Sequence, residues 1–425
     1  MKPIVDKTQL INSLFGLLEI PSVKSVPSEN APFGKGVKDA LDYFLNLAND
    51  LGFETVNYDN YIGEVLFGQG EPFGVLCHLD VVPEGNLADW VTPPYVPTIR
   101  DGKIFARGVL DDKGGAVAVL YCMKALKDAG ITPNRQIKLI LGCDEESGWG
   151  CIEHYRKVAT LPKEGISPDA DFPVIYAEKG ILHIRYSFDK PQALLDITGG
   201  ERANVVCDFC TATLEKVGLY ADYQGVLVDG NHLKATGVSA HGSTPEKGDN
   251  AIAKVLGFLV NNGILDASVY DGLFGACHGV KELVDETGHL TFSPNIIRCD
   301  NDKIYVTVDV RYPSTLEKDF VVEKLSQIGA MEILSYQAPL FSPKDSGLVK
   351  VLSDIYFRCT GDSTPPIAIG GGTYARALEN GVAFGPALNM EEGESIHKPN
   401  EHVTLSTLDT MTEIYLQTLL EVCCK

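Results

Sequence analysis

Phe73-Gly-Val-Leu-Cys-His78-Leu-Asp80 reads as a short apolar strand that ends abruptly in a histidine and an acid. Residues two apart on a strand share a face, so His78 and Asp80 project together from its C-terminal end. Open α/β sheets place their ligands at such ends. One of the two side chains could bind a metal while the other hydrogen-bonds the remaining imidazole nitrogen. A turn histidine followed by a loop-capping aspartate is the simpler competing reading.

Working outward, the same texture repeats. Ile137–Cys143 and Val174–Ala177 are further apolar runs, and the helical patterns Val37–Leu51 and Gly114–Ala129 separate them. Such alternation predicts an α/β layer with a largely parallel sheet. It returns near the end with Pro366–Ile369, Val382–Phe384 and a closing helix over Leu405–Val422. The middle differs: β-like runs such as Leu182–Phe188 and Tyr305–Val310, helices rich in Lys and Glu, and longer loops. The expected organisation is a discontinuous first domain over 1–180 and 354–425, with a mixed, mostly parallel sheet covered by helices. An α+β domain is inserted over 181–353.

Composition narrows the class. The chain has 425 residues, 44% of them hydrophobic, enough for a large core and roughly two or three domains. A net charge of −21, spread along the chain, argues against nucleic-acid or anionic-membrane partners. No run of about eighteen apolar residues predicts a membrane span, and the first residues lack a secretory pattern; Asp6–Leu18 reads instead as an amphipathic surface helix. Eleven scattered cysteines, several inside apolar runs, point to buried thiols in a reducing, cytoplasmic setting. Cys207 and Cys210 match CxxC, but no second pair completes a zinc site.

Further acids gather at strand ends. Asp111 and Asp112 in Arg107-Gly-Val-Leu-Asp-Asp-Lys-Gly-Gly115 precede a helix, where carboxylates are favoured; two N-cap aspartates would look the same. Asp144, Glu145 and Glu146 follow an apolar strand and repel one another unless cations or donors gather them; a solvated acidic loop is the alternative. Asp169 and His397 complete a set of imidazoles and carboxylates suited to a pair of metals. Zinc comes first for such donors, with manganese or cobalt also compatible, and the lack of cysteine donors argues against a structural zinc.

Several motifs together carry a resemblance: CHLDVVPEG (77–85), RGVLDDKGG (107–115), CDEESGWG (143–150), PDADFPVIYAEKG (168–180), VSAHGSTPEKG (238–248), VRYP (310–313), GGGTYAR (370–376) and IHKPNE (396–401). They run through nearly the whole chain, which resembles the PepV-like dipeptidases of the aminoacylase/carboxypeptidase G/succinyl-diaminopimelate desuccinylase superfamily of dimetal hydrolases. The resemblance implies that His78 and Asp169 hold one metal, Glu146 and His397 the other, and Asp111 bridges both, with a cis Asp111–Asp112 peptide. Asp80 would support His78, and Glu145 would be the general base. His241 would donate to the oxyanion. Arg311, through its fork of donors, and Asn204 would hold the substrate's C-terminal carboxylate. Gly371, Gly372 and Thr373 lie in a loop that is either a backbone anion nest or a flexible turn.

The implied activity is hydrolysis of dipeptides with a free N-terminus, by a monomer whose large insertion closes as a lid hinged near Lys179-Gly180 and around 350–356. Asp169, rather than Glu, resembles the dipeptidase and aminopeptidase branches more than the carboxypeptidase and acylase branches. Gly115 departs from the family, where a proline is frequent. Deacylation or desuccinylation of N-acyl amino acids is the rival activity on the same core. A non-catalytic peptide-binding protein is the remote one.

Overall fold

The computed structural model describes residues 2–218 and 220–425. It divides into two compact units: the first comprises 1–176, 341–367 and 372–425, and the second 177–340 and 368–371.

In the first unit the strands Ile137–Gly142, Phe73–His78, Glu164–Ser167 and Asn380–Phe384 lie side by side and parallel. Ile62–Phe67 and Glu54–Tyr58 extend this sheet antiparallel on one side. Every residue of Phe73–His78 is buried, as expected of a central strand covered on both faces. The helix Leu405–Cys423 packs on both Lys113–Asp128 and Gly347–Thr360. Helix Lys7–Leu18 buries Leu10, Leu14, Leu17 and Leu18 at helical spacing, with Asp6 capping its start. Lys113 ties this helix to the site region. Its buried ammonium donates to Leu17 O at 3.1 Å and Ile20 O at 2.8 Å, and burial pulls its pKa down to about 7.

The second unit is an eight-stranded antiparallel sheet in the order Val226–Asp229, His232–Thr236, Phe209–Leu214, Leu194–Gly199, Thr291–Cys299, Lys303–Tyr312, Gly180–Asp189 and Ala330–Gln337. Helices Ala251–Asn261, Ala267–Leu273 and Lys318–Leu325 cover one face. Along Lys303–Tyr312 the residues Ile304, Val306, Val308, Val310 and Tyr312 enter that core. The intervening residues, Asp309 and Arg311 among them, therefore point to the opposite face.

This mixed α/β architecture with a separate α+β unit is the fold class expected from the sequence. The compact units cross at 176/177 and 340/341, where the sequence reading expects 180/181 and 353/354. Residues 350–356, expected near a hinge, sit inside the helix Gly347–Thr360. Its apolar face, Leu348, Val349, Leu352 and Ile355, belongs to the core of the first unit.

Candidate active site

The strand ends of the first unit bring the expected donors together. His78 Nε2 lies 2.8 Å from Asp111 Oδ1 and 3.4 Å from Asp169 Oδ1. His397 Nε2 lies 2.8 Å from Asp111 Oδ2 and 3.1 Å from Glu146 Oε2. Asp111 thus stands between two imidazoles, one on each oxygen. Potential ligand atoms of His78, Asp111 and Glu146 fall within 4.8 Å of one another, as do those of His78, Glu145 and Asp169. A cavity of about 170 Å³ is lined by Asp111, Glu145, Glu146, Asp169, Gly372 and His397.

Local structure explains the placement. The Asp111–Asp112 peptide is cis. Asp112 occupies the N-cap position of the helix Lys113–Asp128 but makes no side-chain capping bond. Its Oδ2 accepts instead from the His78 amide at 3.3 Å, so the two acids are not a pair of helix caps. Gly115 is closely enclosed here: a Cβ would stand 2.3 Å from Asp112 Oδ1 and 3.0 Å from Pro168. His397 has a φ of 62°, a strained conformation for a residue with a side chain.

Asp80 acts differently from the expectation. The bond to His78 Nδ1 is made by the Asp80 main-chain carbonyl at 2.9 Å, while its carboxylate is 3.7 Å away. A carbonyl only accepts, so the ring proton is on Nδ1 and Nε2 faces the carboxylates. The Asp80 carboxylate accepts from the amides of Glu145 at 3.1 Å and Glu146 at 3.2 Å. The acidic loop is therefore organised rather than solvated, and Asp144 beside it is buried and paired with Lys24 at 2.6 Å.

Electrostatics fit a cation site. Burial and repulsion from Asp169 push Glu145 well above the carboxylate range. Burial also raises Asp169, to about 7, against the pull of His78. Burial opposes charge on His397, but hydrogen bonds to Asp111 and Glu146 outweigh it and lift its pKa to about 11. Crowded carboxylates here depend on positive charge among them, and the imidazole and carboxylate donors suit divalent metals.

The second unit gathers its own predicted residues. The Gly242 amide donates to Asn204 O at 2.8 Å, and Val205 bridges to His241. The Ser243 amide donates to His241 Nδ1 at 3.2 Å, which places the ring proton of the neutral imidazole on Nε2. Arg311 departs from its expected role. Its Nε and Nη2 make a bidentate pair with Asp309 at 2.6 and 2.8 Å, and Nη1 donates to Gly370 O at 3.0 Å. The fork assigned to a substrate carboxylate is engaged within the chain. Thr373 Oγ1 accepts from the Ala375 amide at 3.1 Å, a capping bond. Gly371 lies in the short 368–371 segment of the second unit, whereas Gly372 and Thr373 belong to the first.

Three functional candidates escaped the sequence reading. Asp309 had a signal, since it stands two residues from Arg311 on one strand. Glu401 closes the IHKPNE motif, and Trp149 lies in CDEESGWG, but neither has a chemistry legible without its partner.

A mixed α/β sheet carrying imidazoles and carboxylates at its strand ends defines a metallohydrolase type of site. The chain belongs to the peptidase family M20/M25/M40, whose pattern it matches over residues 74–421. It is 33% identical to a Staphylococcus epidermidis protein named "Putative dipeptidase", over 98% of this chain and 97% of that one. The fold is shared with human carnosine dipeptidase 1 (TM-score 0.61, 14% identity, covering 97% of this chain and 96% of that one). It is also shared with the aminoacylhistidine dipeptidase of Vibrio alginolyticus (TM-score 0.61, 16% identity, covering 100% and 98%). Among the described residues no helix is long and apolar enough to cross a membrane.

Proposed function

We propose that this chain is a metal-dependent dipeptidase acting on dipeptides with a free N-terminus. The observation that carries the reading is the placement of Asp111 between His78 and His397, at 2.8 Å from each, with Glu145 lining the same cavity. His78 and Asp169 would hold one ion, Glu146 and His397 the other, and Asp111 would serve both, with zinc first and manganese or cobalt compatible. Divalent metals held there would acidify a shared water and polarise the scissile carbonyl.

The remaining work falls to the protein. Glu145 takes the proton of the attacking water and returns one to the departing amine. Glu146, engaged with His397, is the poorer base. Asp80 holds the amides of both glutamates and so sets their loop. His241 donates from Nε2 to the carbonyl oxygen as charge develops on it, its tautomer set by Ser243. Arg311, through Asp309 and Gly370, shapes the glycine loop; Asn204, Gly371, Gly372 and Thr373 are proposed to line the substrate's path.

The names of the relatives support dipeptides over N-acyl amino acids as substrates. Eleven free thiols support a reducing compartment, the cytoplasm. A monomer rests on the family resemblance. The test is to strip metal with a chelator, restore zinc, manganese or cobalt, and assay dipeptides, tripeptides, N-blocked dipeptides and N-acyl amino acids. Turnover confined to dipeptides with free N-termini is expected. Preference for N-acyl amino acids would make the chain a deacylase instead.

A further inference from the structure

Trp149 stands where a bulky residue is costly. Its φ of 61° lies in the left-handed region, which large side chains avoid and glycine adopts freely. It occupies the N-cap position of the helix Gly150–Val158 but makes no side-chain capping bond. Helix initiation therefore gives no reason for an indole at this position, and strained residues of this kind gather at functional sites.

Two contacts of the side chain supply a reason. Nε1 donates to Glu145 Oε1 at 3.2 Å, and the ring meets Tyr374 edge-on, with centroids 5.2 Å apart. Tyr374 is itself fixed. It is fully buried, its hydroxyl lies 2.8 Å from Cys151 Sγ, and it fits against Gly142, where a Cβ would stand 2.3 Å from that hydroxyl. The indole is thus held between a rigid ring and a carboxylate. An indole N–H donates and never accepts, so it can orient a carboxylate without competing for the proton that carboxylate takes up.

We propose that Trp149 is the positioning residue for Glu145, its N–H holding one carboxylate oxygen so that the other meets the water to be deprotonated. The inference rests on Glu145 being the base, and it separates the two adjacent glutamates. Glu146 faces His397, a residue read as a metal ligand, whereas Glu145 is oriented by an indole N–H that leaves its second oxygen free of this contact.

Trp149→Phe keeps the ring against Tyr374 and removes only the donor. With L-alanyl-L-alanine and zinc restored, kcat should fall about ten- to hundredfold, as for the loss of a hydrogen bond to a charged group. KM should move less than threefold, and bound zinc and melting temperature should stay near wild type. A kcat within twofold of wild type, or a loss carried wholly by KM, overturns the proposal. A second readout needs no turnover. The chain has two tryptophans, so in Trp90→Phe the emission comes from Trp149 alone. Adding Glu145→Ala in that background should shift the emission, because the indole nitrogen loses its hydrogen-bond acceptor. Unchanged spectra overturn the contact. Absence of turnover in the wild type would instead sink the dipeptidase reading, with the emission comparison still deciding the Trp149–Glu145 pairing.

Discussion

Arg107 and Glu401, 294 residues apart in the chain, form a fully buried ion pair with Nη1 and Oε2 at 2.7 Å. Glu401 also accepts from the amides of Gly108 at 3.1 Å, Leu110 at 3.0 Å and Asp111 at 3.3 Å. Arg107 lies over the Trp90 ring and donates to Lys398 O at 3.3 Å. One carboxylate thereby holds the loop that carries Asp111 and, through Arg107, the loop that carries His397.

Removing that charge should affect both stability and metal retention. Glu401→Gln leaves Arg107 buried without its counter-charge, which costs about 3–5 kcal/mol. If Asp111 and His397 hold metal as proposed, disturbing their support should weaken zinc affinity by roughly 10- to 100-fold. Thermal melting and chelator competition measure the two effects. Glu64→Gln, which breaks the buried pair with Lys138 at 2.8 Å, should lower stability while leaving zinc affinity unchanged. Equal zinc affinity in all three proteins would remove Glu401 from the site's support.

The adjacent glutamates should separate cleanly. Glu145→Ala is expected to abolish turnover while zinc content stays near wild type, and Glu146→Ala to lose both. Because Glu145 also lies within 4.8 Å of His78 and Asp169 donor atoms, metal analysis of Glu145→Ala is the decisive measurement. Loss of zinc there would exchange the two roles.

His241 should act on the transition state. His241→Ala should lower kcat by roughly 10²–10³, as for loss of an oxyanion donor, with little change in KM. An effect confined to KM would make it a binding residue only.

Asp309 gives a pH dependence with a definite sign. Burial would raise its pKa, but His183 and the Arg311 guanidinium outweigh burial and hold it below the usual carboxylate range. A carboxylate with a depressed folded pKa stabilises the protein above its unfolded pKa, and that contribution is lost as pH falls through the folded value. Acid unfolding should therefore steepen below about pH 4. Asp309→Asn should be less stable at pH 6 and show a shallower loss between pH 4 and the acid limit. An unchanged acid profile in Asp309→Asn would show that the pairing contributes nothing to stability.

Much of the site was legible because strand periodicity and motif order are local properties. His78 at a strand end, Asp111 before a helix and the acids after Ile137–Gly142 could be found by reading along the chain. Roles that depend on a partner could not. Asp80 and Arg311 show this: residue type suggested a carboxylate on an imidazole and a fork on a substrate. The folded chain instead puts the Asp80 carbonyl on His78 and Asp309 on the Arg311 fork.

The sequence by itself determined the α/β class, the interruption of the sheet by an α+β unit, and which acids and histidines could share a metal site. These follow from hydrophobic period and from side-chain chemistry, both written in nearest neighbours. Only the tertiary structure decided which oxygen faces which nitrogen, that residues 341–353 join the first unit, and that Glu401 meets the Asp111 amide and Trp149 the Glu145 carboxylate. Hydrogen bonds across hundreds of residues require donor and acceptor to meet within about 3 Å. Only packing of the complete chain sets such distances.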